Sequence, residues 1–157
     1  ARAAAEARAS GFDGALLTDL PPEEAAWTRP HFRAAGLDTI FLVSPTSPRS
    51  RMAAAAKLSS GFLYVVSRSG TTGARATLPR DQAATVRRAR KEAGALPVAI
   101  GFGIATPEAA SRVASLADGV VVGSALVRAA EEAGPRREAA VESLARSLAL
   151  ACRRRPQ

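Results

Sequence analysis

Two short stretches hold the residue types best suited to chemistry. "VAIGFGIATPE", residues 98–108, is an apolar run that stops at Gly101-Phe102-Gly103 and leads into a helix opening at Thr106-Pro107-Glu108. "GVVVGSAL", residues 119–126, repeats the pattern with Gly123-Ser124. A strand that ends in glycine and passes straight into a helix presents backbone N–H groups with the positive end of the helix dipole behind them. That arrangement is a site for an anion, most often a phosphate. The same glycines equally suit a tight turn without a ligand. On these residues alone both readings stand.

The titratable residues offer less. Asp13 and Asp118 precede apolar runs, and Glu23, Glu24 and Glu108 open helices, where a carboxylate complements the dipole. Asp19 follows a run, where it suits an N-cap. His31 falls in the middle of a helical stretch. The single cysteine, Cys152, has no partner for an internal disulfide and no companion ligand for a metal, so no metal site is expected.

The elements that must position these residues alternate along the chain. Apolar runs at 14–20, 39–44, 62–67, 97–104 and 119–126 predict five strands. Between and after them, helices are expected at 21–36, at 47–59 with Ser47-Pro48 as cap and first turn, at 80–93, at 107–117, in a short piece after 126, and at 136–152. Residues 68–79 form a long polar loop with the Gly, Ser and Thr content of a lid. Ala1–Ser10 is helix-forming from its first residue with no cap ahead of it, as though the chain began inside a helix.

Strand–helix units of this kind specify an α/β fold, a parallel sheet covered by helices, in a single domain over 1–157. Two closures compete, an open doubly wound sheet and an arc of a (β/α)8 barrel. Barrels frequently bind phosphate in the loops after their last two strands, and the glycine turns here follow the last two runs, which favours the barrel.

Composition bounds the partners. The 157 residues are 47% hydrophobic, with a formal net charge of +8. No apolar run reaches the roughly 18 residues of a membrane span, and no signal peptide pattern opens the chain, so a soluble, cytoplasmic protein is expected. The positive charge lies in "RRARK" (87–91), "GPRRE" (134–138) and the tail "CRRRPQ" (152–157). No aromatics are interleaved with it and no nucleic-acid-binding motif accompanies it, which reads as solvated helix faces rather than a nucleic-acid surface.

The two glycine turns, together with "GFDGALLTDLPPEE" (11–24), "IFLVSPTSP" (40–48) and "SRSGTTGAR" (67–75), resemble the tryptophan synthase α subunit family from about Gly11 to Val127. The resemblance implies a (β/α)8 barrel that cleaves indole-3-glycerol phosphate to indole and glyceraldehyde 3-phosphate. The indole then passes to a pyridoxal phosphate-dependent β subunit in a heterotetramer, and no cofactor is implied for this chain itself. On that resemblance Gly101, Phe102, Gly103, Gly123 and Ser124 hold the substrate phosphate, and Leu42 and Tyr64, at the ends of their strands, line the indole pocket. Arg68, Gly70, Thr72 and Gly73 belong to the lid, Thr72 helping to close it, while Asp19, Leu20 and Pro21 face the β subunit.

One departure from the family is large. A full barrel takes roughly 250 residues and eight strands, and five runs are present here. The first three strands are missing, and with them the two carboxylates that the family uses as acid and base, so no catalytic residue is assigned in this chain. The expectation is therefore the carboxyl-terminal portion of such a lyase, inactive by itself. The alternative is a non-catalytic module that binds phosphate or docks on a β subunit.

Overall fold

The computed structural model describes residues 1–25, 27–66, 80–101 and 103–153, with the backbone alone for 80–82. Its elements follow in the order α1 (Arg2–Ala9), β1 (Gly14–Leu16), α2 (Arg29–Ala34), β2 (Asp38–Val43), α3 (Arg49–Leu58), β3 (Leu63–Val66), α4 (Arg80–Ala93), β4 (Val98–Gly101), α5 (Pro107–Ala114), β5 (Gly119–Val120), α6 (Ser124–Ala133) and α7 (Arg137–Cys152). Short 3₁₀ turns occupy Pro22–Glu24 and Gly134–Arg136. No helix among the described residues is long and apolar enough to cross a membrane.

Local chemistry accounts for several of these boundaries. Thr106 caps α5, its side chain accepting from the Ala109 N–H at 3.3 Å, and Pro107 fills the first helical position, where no N–H is needed. α4 ends at Gly94, whose φ of +60° is the left-handed conformation that terminates helices. In α3 the run Met52–Lys57 is mostly alanine, the best helix former.

All five strands are parallel, and their order is β1-β2-β3-β4-β5. A doubly wound sheet reverses its strand order at a switch point, so this sequential order removes that alternative for the described sheet. The main core cluster lies on one face, although Ile40 and Ala99 on the other face are also buried. Phe41, Val43, Leu63, Val65, Val98 and Ile100, at alternate strand positions, are buried against Met52 and Ala55 of α3, Val86 and Ala89 of α4, and Ala110 and Val113 of α5. On the other face Leu42, Tyr64 and Val66 are only half buried. Burial therefore alternates along β3, where the apolar run had suggested cover on both sides.

Several expected elements are shorter than their sequence pattern, the first strand among them, which keeps only Gly14–Leu16 of the run 14–20. The stretch 21–36 is not one helix: Pro30 has no N–H to bond back along a continuing helix and instead lies in the first turn of α2, where none is needed, so a 3₁₀ turn and α2 result. Glu23 and Glu24 consequently lie in a three-residue turn with no helix behind them to complement, and Glu23 instead meets Arg51 at 3.5 Å. The run 119–126 keeps only Gly119–Val120 as strand. Its partner β4 ends at Gly101, and the last bridging bond is from Val121 N–H to the Ile100 carbonyl, 2.7 Å. Ser47 does not cap α3; the cap residue is Pro48, and the Ser47 hydroxyl accepts from the Ser44 N–H at 3.0 Å, closing the turn 44–47.

The basic cluster at 87–91 is also not wholly a solvated face. Arg88 and Arg90 reach off α4 to neighbouring units, Arg88 to the Pro45 and Ser47 carbonyls and Arg90 to Leu116 and Asp118.

Candidate functional site

β4 and β5 are neighbours in register, Ala99 beside Gly119 and Ile100 beside Val120, so the segments leaving their carboxyl ends start side by side. From β4 the chain passes Gly103 and opens α5 at Thr106. From β5 it passes 121–122 and opens α6 at Gly123, whose carbonyl accepts from the Leu126 and Val127 N–H groups at 2.9 and 3.2 Å. Each helix start leaves N–H groups without a partner inside the helix. Ser124 is the first residue of α6 and is exposed.

The three described glycines do different work. Gly103 has φ +56°, a conformation that strains any residue with a Cβ. At Gly123 a Cβ would meet nothing within 4 Å, so the site in front of α6 is open. At Gly101 a Cβ would fall on the ring and hydroxyl of Tyr64. Gly101 thus lets Tyr64, on the adjacent strand, lie across β4, a packing reason that the sequence pattern does not reveal. Phe102 lies outside the described residues, as do Arg68, Gly70, Thr72 and Gly73.

Leu42 and Tyr64 are direct neighbours in register on the sheet face away from the core. Tyr64 packs edge-on against Phe62, with ring centroids 6.3 Å apart. Partial burial pushes its phenol above the ordinary value. Leu42 lines a cleft of about 360 Å³ at the carboxyl ends of β1, β2 and β3, and the same cleft holds Asp19, Leu20 and Pro21. Leu42 therefore shares one concavity with the residues expected at the β-subunit surface, while Tyr64 does not line it. Its wall also includes Ser44, Ser47, Arg51 and Val66, to which the sequence reading gave no site role. The signal available for them was a Ser-Pro-Thr-Ser turn directly after a strand.

Asp19 does not cap the turn that follows it; the cap position is Pro21, with no side-chain hydrogen bond there. Asp118 is structural, accepting from the Val98 N–H at 3.0 Å and from Arg90 at 2.8 Å at the start of β5. The Asp13 carbonyl accepts from the Asp38 N–H at the opposite end of β1 from the cleft. Glu108, at the start of α5, has its carboxyl held below the ordinary range by its own backbone N–H and by Thr106. His31 is exposed on α2 and borders a separate apolar groove among α1, β1 and Trp27. Among the described residues no three His, Cys, Asp or Glu side chains converge as a metal site would need.

Comparison with known proteins places this geometry in context. The family model for the tryptophan synthase alpha chain matches residues 2–153. The tryptophan synthase alpha chain of Citrifermentans bemidjiense is 53% identical over 127 residues, covering 81% of this chain and 47% of that relative. The chain thus spans about half the length of the curated relatives it matches. The solved tryptophan synthase A-subunit of the hyperthermophile Pyrococcus furiosus superposes with a TM-score of 0.79 at 38% identity, over 94% of this chain and 58% of that one. A chain from a structure of the tryptophan synthase a2b2 complex of the same organism gives 0.78 at 36% identity, over 94% and 57%.

Proposed function

The chain belongs to the tryptophan synthase alpha chain family, and from that premise we propose that it is the carboxyl-terminal part of a carbon–carbon lyase of tryptophan biosynthesis. Its five strands then form an arc of a (β/α)8 barrel whose first three strands are not in this sequence. The reaction is the retro-aldol cleavage of indole-3-glycerol phosphate. The carbon–carbon bond to the indole ring breaks, a proton is delivered to the ring carbon, a hydroxyl of the side chain loses its proton, and glyceraldehyde 3-phosphate leaves. Such a step needs a positioned acid and base.

The observation that carries the reading is the pair of helix starts at neighbouring strand ends, one reached through Gly103 in its left-handed conformation and one opening at Gly123 with free space before it. Together they supply N–H donors and two dipoles for the substrate phosphate. Leu42 and Tyr64 give an apolar wall for the indole. Asp19, Leu20 and Pro21 give a surface for a β subunit, the partner that carries the pyridoxal phosphate. Asp118 is engaged in structure and Glu108 belongs to a helix start, while Asp19, which lines the cleft, is assigned to the β-subunit surface. Acid and base must come from the missing strands.

The test is complementation. The 157-residue chain alone is expected to release no indole from indole-3-glycerol phosphate. Mixed with a separately expressed amino-terminal part of a related alpha chain, it should restore turnover. Indole release by the purified chain, surviving Asp19→Asn, would overturn the assignment. Capture of a β subunit by a mixture that gains no turnover would favour the second reading, a docking module without catalysis, which the lack of an acid–base carboxylate also fits.

A further inference from the structure

We infer that Arg88 is a positioning residue for the strand-end cleft: its guanidinium holds the turn 44–47 against α4 and so sets one wall of the space that Leu42 and Asp19 share. The inference deepens the proposed function, since the indole moiety is taken as the occupant of that space.

The turn closes on itself through two bonds. The Ser47 N–H donates to the Ser44 carbonyl at 3.0 Å, and the Ser44 N–H donates to the Ser47 hydroxyl at 3.0 Å, a reciprocal closure between two prolines. What this closure leaves free is the position of the turn relative to the rest of the molecule. Arg88 fixes it, one guanidinium nitrogen donating to the Ser47 carbonyl at 2.6 Å and the other to the Pro45 carbonyl at 3.3 Å. The carbonyl at Ser47 is available because the first helical bond of α3 goes instead to Pro48, from the Met52 N–H at 3.1 Å. Both Ser44 and Ser47 line the cleft, so a displacement of the turn is a displacement of its wall.

A planar fork is the group that can span two carbonyls at once; a lysine ammonium is a single point charge and cannot hold both in one plane. A separate tie joins α3 to α4, Arg49 Nε to Glu92 Oε1 at 2.7 Å. Loss of Arg88 therefore releases the turn while α3 stays fastened to α4, and the variant folds. Arg90, two residues on, serves the opposite neighbour through Leu116 and Asp118 and does not touch the cleft. It is the natural control.

The experiment compares Arg88→Ala, Arg88→Lys and Arg90→Ala with the parent chain, each mixed with the amino-terminal part that completes the barrel. In Arg88→Ala, amide exchange at Ser44 and Ser47 should accelerate by about tenfold, because the turn then opens independently of the global fold. The KM for indole-3-glycerol phosphate should rise about fivefold with kcat kept within about twofold, the pattern of a lost binding wall. Arg88→Lys should fall between, and Arg90→Ala should change neither readout. Unchanged exchange at the turn overturns the inference. So does a fall in kcat at constant KM, or an equal effect from Arg90→Ala. If the parent mixture releases no indole, the lyase reading fails by itself, and the exchange arm, which needs no substrate, still decides whether Arg88 holds the turn.

Discussion

At the scale of single residues, Gly101 and Tyr64 are one feature. A Cβ at 101 would collide with the phenol ring, so Gly101→Ala must push Tyr64 out of place, and overpacking of this kind costs about 1–3 kcal/mol. Adding Tyr64→Ala removes the collision, and urea denaturation of the four combinations should show the double variant losing less than the sum of the single ones. Additive losses would mean that the two side chains do not meet. Tyr64 is also the only tyrosine, so phenolate absorbance reports it alone. Its phenol is raised by burial above 10.0, hence the fold favours the neutral form. That contribution is fully present below the unfolded-state value and is lost as pH rises through the folded one. An alkaline midpoint above 10 is expected, and one at or below 10 contradicts the packing described. At the phosphate turns, Gly123→Asp puts a carboxylate into the open space before α6, and titration with glycerol phosphate should show weaker binding; unchanged affinity in a folded variant removes the assignment. The glycine turns were legible in sequence because glycine before a capped helix is a local pattern. The contact of Gly101 with Tyr64 was not, since it depends on the register of two strands far apart in the chain.

Elements separate in the same way into those fixed by local pattern and those fixed by neighbours. α4 spans Arg80–Ala93 as its sequence suggests, because a helix-forming run there is closed by Gly94. β5 shrinks to two residues because its only described partner ends, and nothing within 119–126 announces that. The brace between α4 and the start of β5 allows a comparison of magnitudes. Arg90 and Asp118 are both substantially exposed, so their ion pair alone contributes about 0–1 kcal/mol. Asp118 also accepts from the Val98 N–H, whose residue is buried, and leaving that donor unpaired costs about 1–3 kcal/mol. Asp118→Ala should therefore destabilise clearly more than Arg90→Ala in urea melts. Equal losses would show that the ion pair, rather than the backbone acceptor, is what matters. The basic residues at 87–91 are exposed as their sequence suggests, but charge clustering does not reveal which carbonyls engage Arg88 and Arg90, since these come from other units.

The molecule as a whole has a sheet with two outer edges, β1 and β5, and an apolar groove of about 510 Å³ beside β1, where Trp27 is 68% exposed and Leu16 43%. Unpaired edges and exposed apolar surface favour association. Light scattering of the chain alone should show concentration-dependent association that falls when the amino-terminal part is added; a monodisperse monomer at all concentrations would mean that neither edge needs a partner. The sequential order of the strands has a kinetic consequence as well. Each described strand bonds the next one in the chain, so no pairing within this sheet has to wait for a distant segment, and the sheet can assemble unit by unit. The longest single closure lies between β3 and β4, which are joined through residues 67–97. Because the entropic cost of closing a loop grows only with the logarithm of its length, doubling that connection adds only about 0.6 kcal/mol. The segment between β3 and α4 is thus the place in this chain where evolution, or an engineer, can lengthen or recompose the polypeptide with the smallest penalty in folding speed.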